Sequence, residues 1–266
     1  MFDCYKREIN YLRISITDRC NLRCLYCMPE EGIQQLNHDK ILRYEEIVDV
    51  VKEAIPLGID KIRITGGEPL VRKGVEHLIQ MIAAIPGVND FGLTTNGLLL
   101  EQYAEKLVES GLHRINISLD TIDPVKYKEV TRGGNIEQVL KGIEAAKRAG
   151  LEPIKINCVV NNSSLEKDAL QVRSFCEEQH LQVRFIHRMD LENGCFTVVE
   201  GGSGGDCSGC NRLRLTAEGK IKPCLFNDLE FDIRTLGIRE ALLQAIHLKP
   251  EQGTVNTKNL FTNIGG

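Results

Sequence analysis

Six times in succession a short β-branched run is followed by an amphipathic helical pattern, and this rhythm restricts the chain to a parallel sheet with right-handed helical crossovers. Strands are predicted at Leu12–Thr17, Lys61–Thr65, Asp90–Thr94, Arg114–Ser118, Pro153–Val160 and Gln182–His187. Between them, apolar residues recur at helical spacing. Ile47, Val48, Val51, Ala54 and Ile55 share one face, as do Ile136, Val139, Leu140, Ile143 and Ala146, with Gly150 placed to end that helix. Leu165, Ala169, Val172, Phe175 and Cys176 are expected to line another. Six units are too few to close a TIM barrel, so the expected class is α/β: an open, curved (β/α)6 sheet, or partial TIM barrel.

The strands depart from the usual parallel pattern. A strand covered on both faces reads as a continuous apolar run. These alternate instead: Arg13, Ser15 and Thr17 oppose Ile14 and Ile16; Lys61, Arg63 and Thr65 oppose Ile62 and Ile64. Arg114, Asn116 and Ser118 oppose Ile115 and Ile117, and Lys155 and Asn157 oppose Ile154, Ile156 and Cys158. With helices on the apolar faces, the polar faces converge on a wet, cationic hollow, which asks for an anionic ligand. The alternative is that some of these are edge strands with one face in bulk water.

The first strand runs into Cys20-Asn-Leu-Arg-Cys24-Leu-Tyr26-Cys27, a C-x3-C-x2-C run. Three thiolates on one loop can hold three irons of a cubic [4Fe–4S] cluster and leave the fourth iron open. A zinc knuckle is the competing reading, although zinc sites pair two C-x2-C knuckles rather than spacing three cysteines in one run. Ile64-Thr65-Gly66-Gly67-Glu68-Pro69 follows the second strand, where paired glycines allow close backbone approach or make a plain βα turn. After Met189 the rhythm stops. A glycine-rich stretch leads to Cys207-Ser-Gly-Cys210-Asn-Arg212-Leu-Arg214, with Cys224 completing C-x2-C-x13-C. A zinc ribbon could take Cys195 or a histidine as its fourth ligand. Cys4, Cys158 and Cys176 are expected to pack as small buried residues.

Bulk properties narrow the class. The chain has 266 residues, 42% of them hydrophobic, a net charge of −4 and ten cysteines. That suits one large core with a small appendix. No basic stripe suggests nucleic acid, and no apolar run approaches the ~20 residues of a membrane span. The start, Met1-Phe2-Asp3-Cys4-Tyr5-Lys6, lacks a signal-peptide core, so a cytoplasmic protein is expected, with cysteines serving metals rather than disulfides.

The cysteine run, with Tyr26 before its last Cys, resembles the signature of the radical S-adenosylmethionine (SAM) enzymes. Leu12-Arg13-Ile-Ser-Ile-Thr-Asp-Arg-Cys20 through Cys27-Met-Pro, the Cys207–Cys224 segment and the terminal Asn263-Ile-Gly265-Gly266 together are similar to the GTP 3′,8-cyclases of molybdenum-cofactor biosynthesis. The resemblance covers nearly the whole chain. It implies two [4Fe–4S] clusters, on Cys20, Cys24 and Cys27 and on Cys207, Cys210 and Cys224. It implies SAM contacts at Tyr26, Gly67, Glu68, Ser118 and Met189, GTP contacts at Arg13, Arg63, Thr94, Lys155, Arg212 and Arg214, and a catalytic role for Gly265 and Gly266. It further implies a reductant such as flavodoxin or ferredoxin, a downstream pyranopterin synthase and a homodimer. The expected domains are a radical SAM core over 1–190, a glycine-rich linker over 191–206 and a shortened auxiliary-cluster domain over 207–266.

Two features depart from that family. Seventeen residues separate Met189 from Cys207 where the family has several tens more, by natural contraction or engineered excision, and His187–Arg188 stands in place of Glu–Phe. Two other readings fit the residues: a radical SAM enzyme with an auxiliary cluster acting on a peptide or another nucleotide, and a non-enzymatic, zinc-stabilised βα scaffold for an anionic partner.

Overall fold

The structure is a computed structural model and describes residues 1–258. Six parallel strands follow in chain order: β1 (Tyr11–Ser15), β2 (Lys61–Thr65), β3 (Asp90–Thr95), β4 (Arg114–Ser118), β5 (Ile154–Val160) and β6 (Gln182–His187). Helices α1 (Tyr44–Ala54), α2 (Val75–Ala83), α3 (Leu100–Glu109), α4 (Pro124–Val130), α5 (Ile136–Ala149) and α6 (Lys167–Glu178) make the crossovers. The helical signals act as read: Asn135 caps α5 by accepting from the Glu137 N–H, and Gly150 ends it in the left-handed region. Leu165 departs from its expected place. It precedes α6 and is exposed, because the helix starts only at Lys167.

The chain then adds β7 (Arg212–Leu215), β8 (Lys220–Lys222), β9 (Phe231–Asp232), α7 (Ile233–Leu236) and α8 (Ile238–His247). The strand order β6-β5-β4-β3-β2-β1-β7-β8-β9 makes one sheet. β7 pairs with β1 in parallel, and β8 and β9 continue antiparallel. The segment after residue 206 is therefore joined to the barrel edge by backbone hydrogen bonds. The glycine-rich stretch does not span solvent: Glu200 bridges Phe185 in β6, and Gly202, Ser203, Gly204 and Gly205 face the concave side of the sheet.

The apolar faces carry the core. Ile14, Ile62, Ile64, Leu93, Ile115, Ile117 and Ile156 are buried against α1 to α6, in one cluster with Val51, Ile79, Leu107, Val139 and Val172. On β5 the alternation is complete, every second residue being buried. Gly66 and Gly67 owe their identity chiefly to a neighbouring loop. A Cβ on Gly67 would stand 2.3 Å from the Arg19 carbonyl oxygen, and the Gly67 and Glu68 N–H groups donate to Thr17 O and Arg19 O at 2.7 and 2.8 Å. The turn after β2 thus clamps the backbone that carries Cys20. Gly67→Ala is expected to cost about 1–3 kcal/mol through this backbone clash; a fall in the urea midpoint together with loss of iron bound at Cys20 checks it.

Candidate active site

The concave face holds a cavity of about 520 Å³, and all six motif cysteines line it. Topology explains how. Cys20, Cys24 and Cys27 follow β1, so they sit at the C-terminal edge of the parallel sheet. Cys210 precedes β7, the parallel neighbour of β1, so it sits at the opposite edge. The β7–β8 hairpin places Lys222 beside Arg214 and so returns Cys224 to Cys210. A strand rise of ~3.3 Å per residue sets the two triads on the order of 15 Å apart along one groove.

The wall between them is cationic. Across adjacent strands Arg214, Arg13 and Arg63 lie side by side in register, and Arg212 is in register with Tyr11. Gly92 opposes Arg63 on β3; a Cβ there would stand 2.5 Å from an Arg63 guanidinium nitrogen, so the missing side chain houses the arginine. Arg63 donates to Asn116 Oδ1 at 3.1 Å and to the Tyr11 hydroxyl at 3.4 Å. Burial, together with repulsion from Arg212 and Arg63, lowers Arg13 to about 10, and burial with Arg13 and Arg212 lowers Arg214 to about 9. Both stay charged at neutral pH, and an anion would relieve the repulsion. Burial alone would raise the Tyr11 phenol, but Arg63, Arg13 and Arg212 outweigh it and bring it to about 8. Asn157 Oδ1 and Arg212 Nε are buried without a hydrogen-bond partner. Such groups are usually satisfied by a ligand or water.

At the first triad, burial, Asp120 and the other two sulfurs push Cys24 up to about 12, and burial and Cys20 push Cys27 up to about 12. Gathered thiols that resist deprotonation become thiolates when a metal supplies positive charge. Tyr26 donates to Asp120 at 2.7 Å, and Asp120 accepts from the Val159 N–H at 2.8 Å, which moors the cysteine loop to β4 and β5. At the second triad, burial would raise Cys210, but Lys249 and Arg212 bring it below its usual value. Among the described residues no group of His, Cys, Asp or Glu closes on a single metal ion. Three thiols around a four-iron cube stand wider apart than the ligands of one tetrahedral ion. Two sets of three thiols, each gathered on the cavity wall, supply the all-sulfur donors that iron–sulfur clusters take.

The remaining expected residues fall unevenly. Thr94, Ser118, Met189 and Gly67 line the cavity. Glu68 also lines the cavity, where the fold holds it: it accepts from Thr95 Oγ1, the Asn96 N–H and the Leu70 N–H at 2.7, 2.7 and 3.1 Å. Lys155 stands half-buried in register with Asn116, its charge disfavoured by burial and by Arg184, Arg114 and Arg63. Cys195 is exposed and hydrogen-bonds Asn193 O; it does not line the cavity. Cys4 is exposed, contrary to expectation, because it lies on the N-terminal turn, where its sulfur meets His247 O at 3.1 Å; Cys158 and Cys176 are buried. Gly265 and Gly266 lie outside the described residues. Sequence reasoning passed over Arg184, although it is the register partner of Asn157 and alternation along β6 marks it. It also passed over Lys249, for which no local pattern exists.

A profile of the radical SAM superfamily matches residues 14–176, and one described as molybdenum cofactor synthesis C matches residues 167–254. Among solved structures, native anSMEcpe with bound AdoMet superposes with a TM-score of 0.62 at 17% identity, over 91% of this chain and 81% of that one. Streptococcus suis SuiB bound to S-adenosylmethionine gives 0.58 at 19% identity, over 69% and 41%. The chain is a member of the radical SAM superfamily, and its fold is theirs. A GTP 3′,8-cyclase of Thermodesulfovibrio yellowstonii is 43% identical over 326 positions, covering all of both chains, and one of Alkaliphilus oremlandii is 43% identical over 95% of this chain and 94% of its own. The chain belongs to the GTP 3′,8-cyclase family. Its 266 residues against 326 aligned positions leave at least 60 without a counterpart here. Among the described residues no helix is long and apolar enough to cross a membrane.

Tyr11 generates a pH prediction. Its folded value lies below the ordinary value of 10, so above about pH 8 it gains negative charge among the arginines. Affinity for a nucleoside triphosphate is expected to fall between about pH 7 and 9, and Tyr11→Phe to flatten that fall; equilibrium binding across this range checks it.

Proposed function

We propose that the protein is a GTP 3′,8-cyclase that converts GTP to 3′,8-cyclo-7,8-dihydro-GTP in molybdenum-cofactor biosynthesis. The observation that carries the reading is the single arginine-walled cavity shared by two cysteine triads. Cys20, Cys24 and Cys27 would hold the first [4Fe–4S] cluster, and Cys207, Cys210 and Cys224 the second. When bound, the first cluster would supply the electron that reductive cleavage of SAM, and with it hydrogen abstraction from ribose C3′, requires.

The protein's own part is placement. Tyr26, held by Asp120, and the backbone at Gly67 shape the SAM end with Glu68, Ser118 and Met189. Arg13, Arg63, Arg212 and Arg214, with Thr94 and Lys155, take the triphosphate and ribose; the planar guanidinium fork binds two phosphate oxygens at once. The triphosphate neutralises a wall whose charges otherwise repel, so substrate and site stabilise each other. The second cluster would take the guanine, and a catalytic role for Gly265 and Gly266 belongs to the same reading. A reductant such as flavodoxin or ferredoxin supplies the electron, a pyranopterin synthase consumes the product, and the domains follow the division at 190 and 206. A homodimer suits the same reading.

A second reading, another nucleotide or a peptide as substrate, is favoured by one observation. His187 and Arg188 line the cavity beside a contracted stretch. One assay separates the two. Anaerobically reconstituted protein with SAM and dithionite is expected to form 5′-deoxyadenosine in a GTP-dependent manner, and indifference to GTP sinks the cyclase reading. Cys24→Ser is expected to abolish that product. Arg214→Ala is expected to raise the KM for GTP about tenfold or more, the worth of one charge-assisted hydrogen bond.

A further inference from the structure

We propose that Lys249 and Arg7 are positioning residues for the second iron–sulfur cluster, two buried cations that fix its cysteine loops from behind through their backbone carbonyls. The inference rests on the reading that Cys207, Cys210 and Cys224 hold a cluster.

Lys249 is 3% exposed, directly after α8, whose buried face of Ala241, Leu242, Ala245 and Ile246 fixes the backbone there. Its Nζ donates to Arg212 O at 2.9 Å and to Pro223 O at 2.5 Å. Arg212 lies two residues after Cys210, and Pro223 immediately precedes Cys224. One ammonium thus ties two ligand-bearing loops by their carbonyls. The charges that act on this buried ammonium are the sulfurs of Cys210 and Cys224, which favour it, and Arg7, which opposes it. An ammonium has three donors, and the two carbonyls take two of them.

The third cysteine is held by Arg7, which is also buried. Its Nη1 donates to Cys207 O and Glu251 O, each at 2.8 Å, and its Nη2 to Pro250 O at 2.7 Å. Asp3 pairs with Arg7 Nε at 2.6 Å and accepts from the Tyr5 and Arg7 N–H groups, so the N-terminal turn presents the guanidinium in one orientation. Residues 249 to 251 are thereby joined to all three cysteine loops. Groups behind metal ligands orient them and tune the metal, and hydrogen bonds to cluster sulfurs with nearby positive charge raise its reduction potential.

The test uses the full chain, anaerobically reconstituted. Wild type is expected to carry about eight irons; about four, with the second triad empty, would overturn the two-cluster reading itself. The inference is then read in a background with Cys20, Cys24 and Cys27 replaced by Ser, where only the second cluster remains. Lys249→Met is expected to lower that cluster's midpoint in an electron-spin-resonance redox titration, and Lys249→Arg to return it toward the parent value. Retention of about four irons at an unchanged midpoint in Lys249→Met overturns the role of Lys249. If Lys249→Met loses the iron, recovery in Lys249→Arg supports it and continued loss overturns it. Arg7→Met is expected to lose second-site iron in the otherwise wild-type chain while the first cluster's signal persists; undiminished iron overturns the role of Arg7.

Discussion

The site depends on β1 being paired in parallel on both sides, with β2 and with β7. In-register pairing puts like side chains next to one another. Here it sets Arg214, Arg13 and Arg63 in a row, which costs free energy unless something negative enters. The hydrophobic face of the same strands holds the row in place, because a one-residue slip would turn Ile14, Ile62 and Ile64 into the cavity and the arginines into the core. The core therefore stabilises an electrostatic arrangement that would not persist alone. Partial relief comes from within: Asn116 and the Tyr11 hydroxyl accept from Arg63, and Asp90 pairs with Arg114 at the rim. The remainder suits a polyanionic ligand.

That pairing also fixes the relation between the two triads. Because β7 runs parallel to β1, the loop entering one strand and the loop leaving the other lie at opposite edges of the sheet. The cavity joins them along its length. A ligand of nucleotide size, anchored at one end, can then present another of its parts at the far end, which is proximity arranged by topology. The strands and their register, not the glycine-rich stretch before Cys207, set this geometry.

Much of this was legible in the chain itself. Strand positions, and the side from which Arg13, Arg63, Asn116 and Asn157 project, follow from a period of two, a local property. The cysteine spacings are local too. What stayed hidden depends on contacts distant in sequence. Gly67 is required by Arg19 nearly fifty residues earlier, and Glu68 is held in the cavity wall by Thr95 and Asn96 at the end of β3. Arg7 meets the second triad from the other end of the described chain, and Lys249 from 37 residues beyond Arg212. The glycine-rich stretch has a linker's composition, yet it packs on β6 as a wall of the cavity.

Anomalous diffraction at the iron edge from anaerobically grown crystals tests the central claim most directly. The account predicts two separate iron maxima, one within the Cys20–Cys27 loop and one among Cys207, Cys210 and Cys224, both facing the arginine-lined cavity. A single iron maximum, or a zinc edge at the second triad, would contradict it.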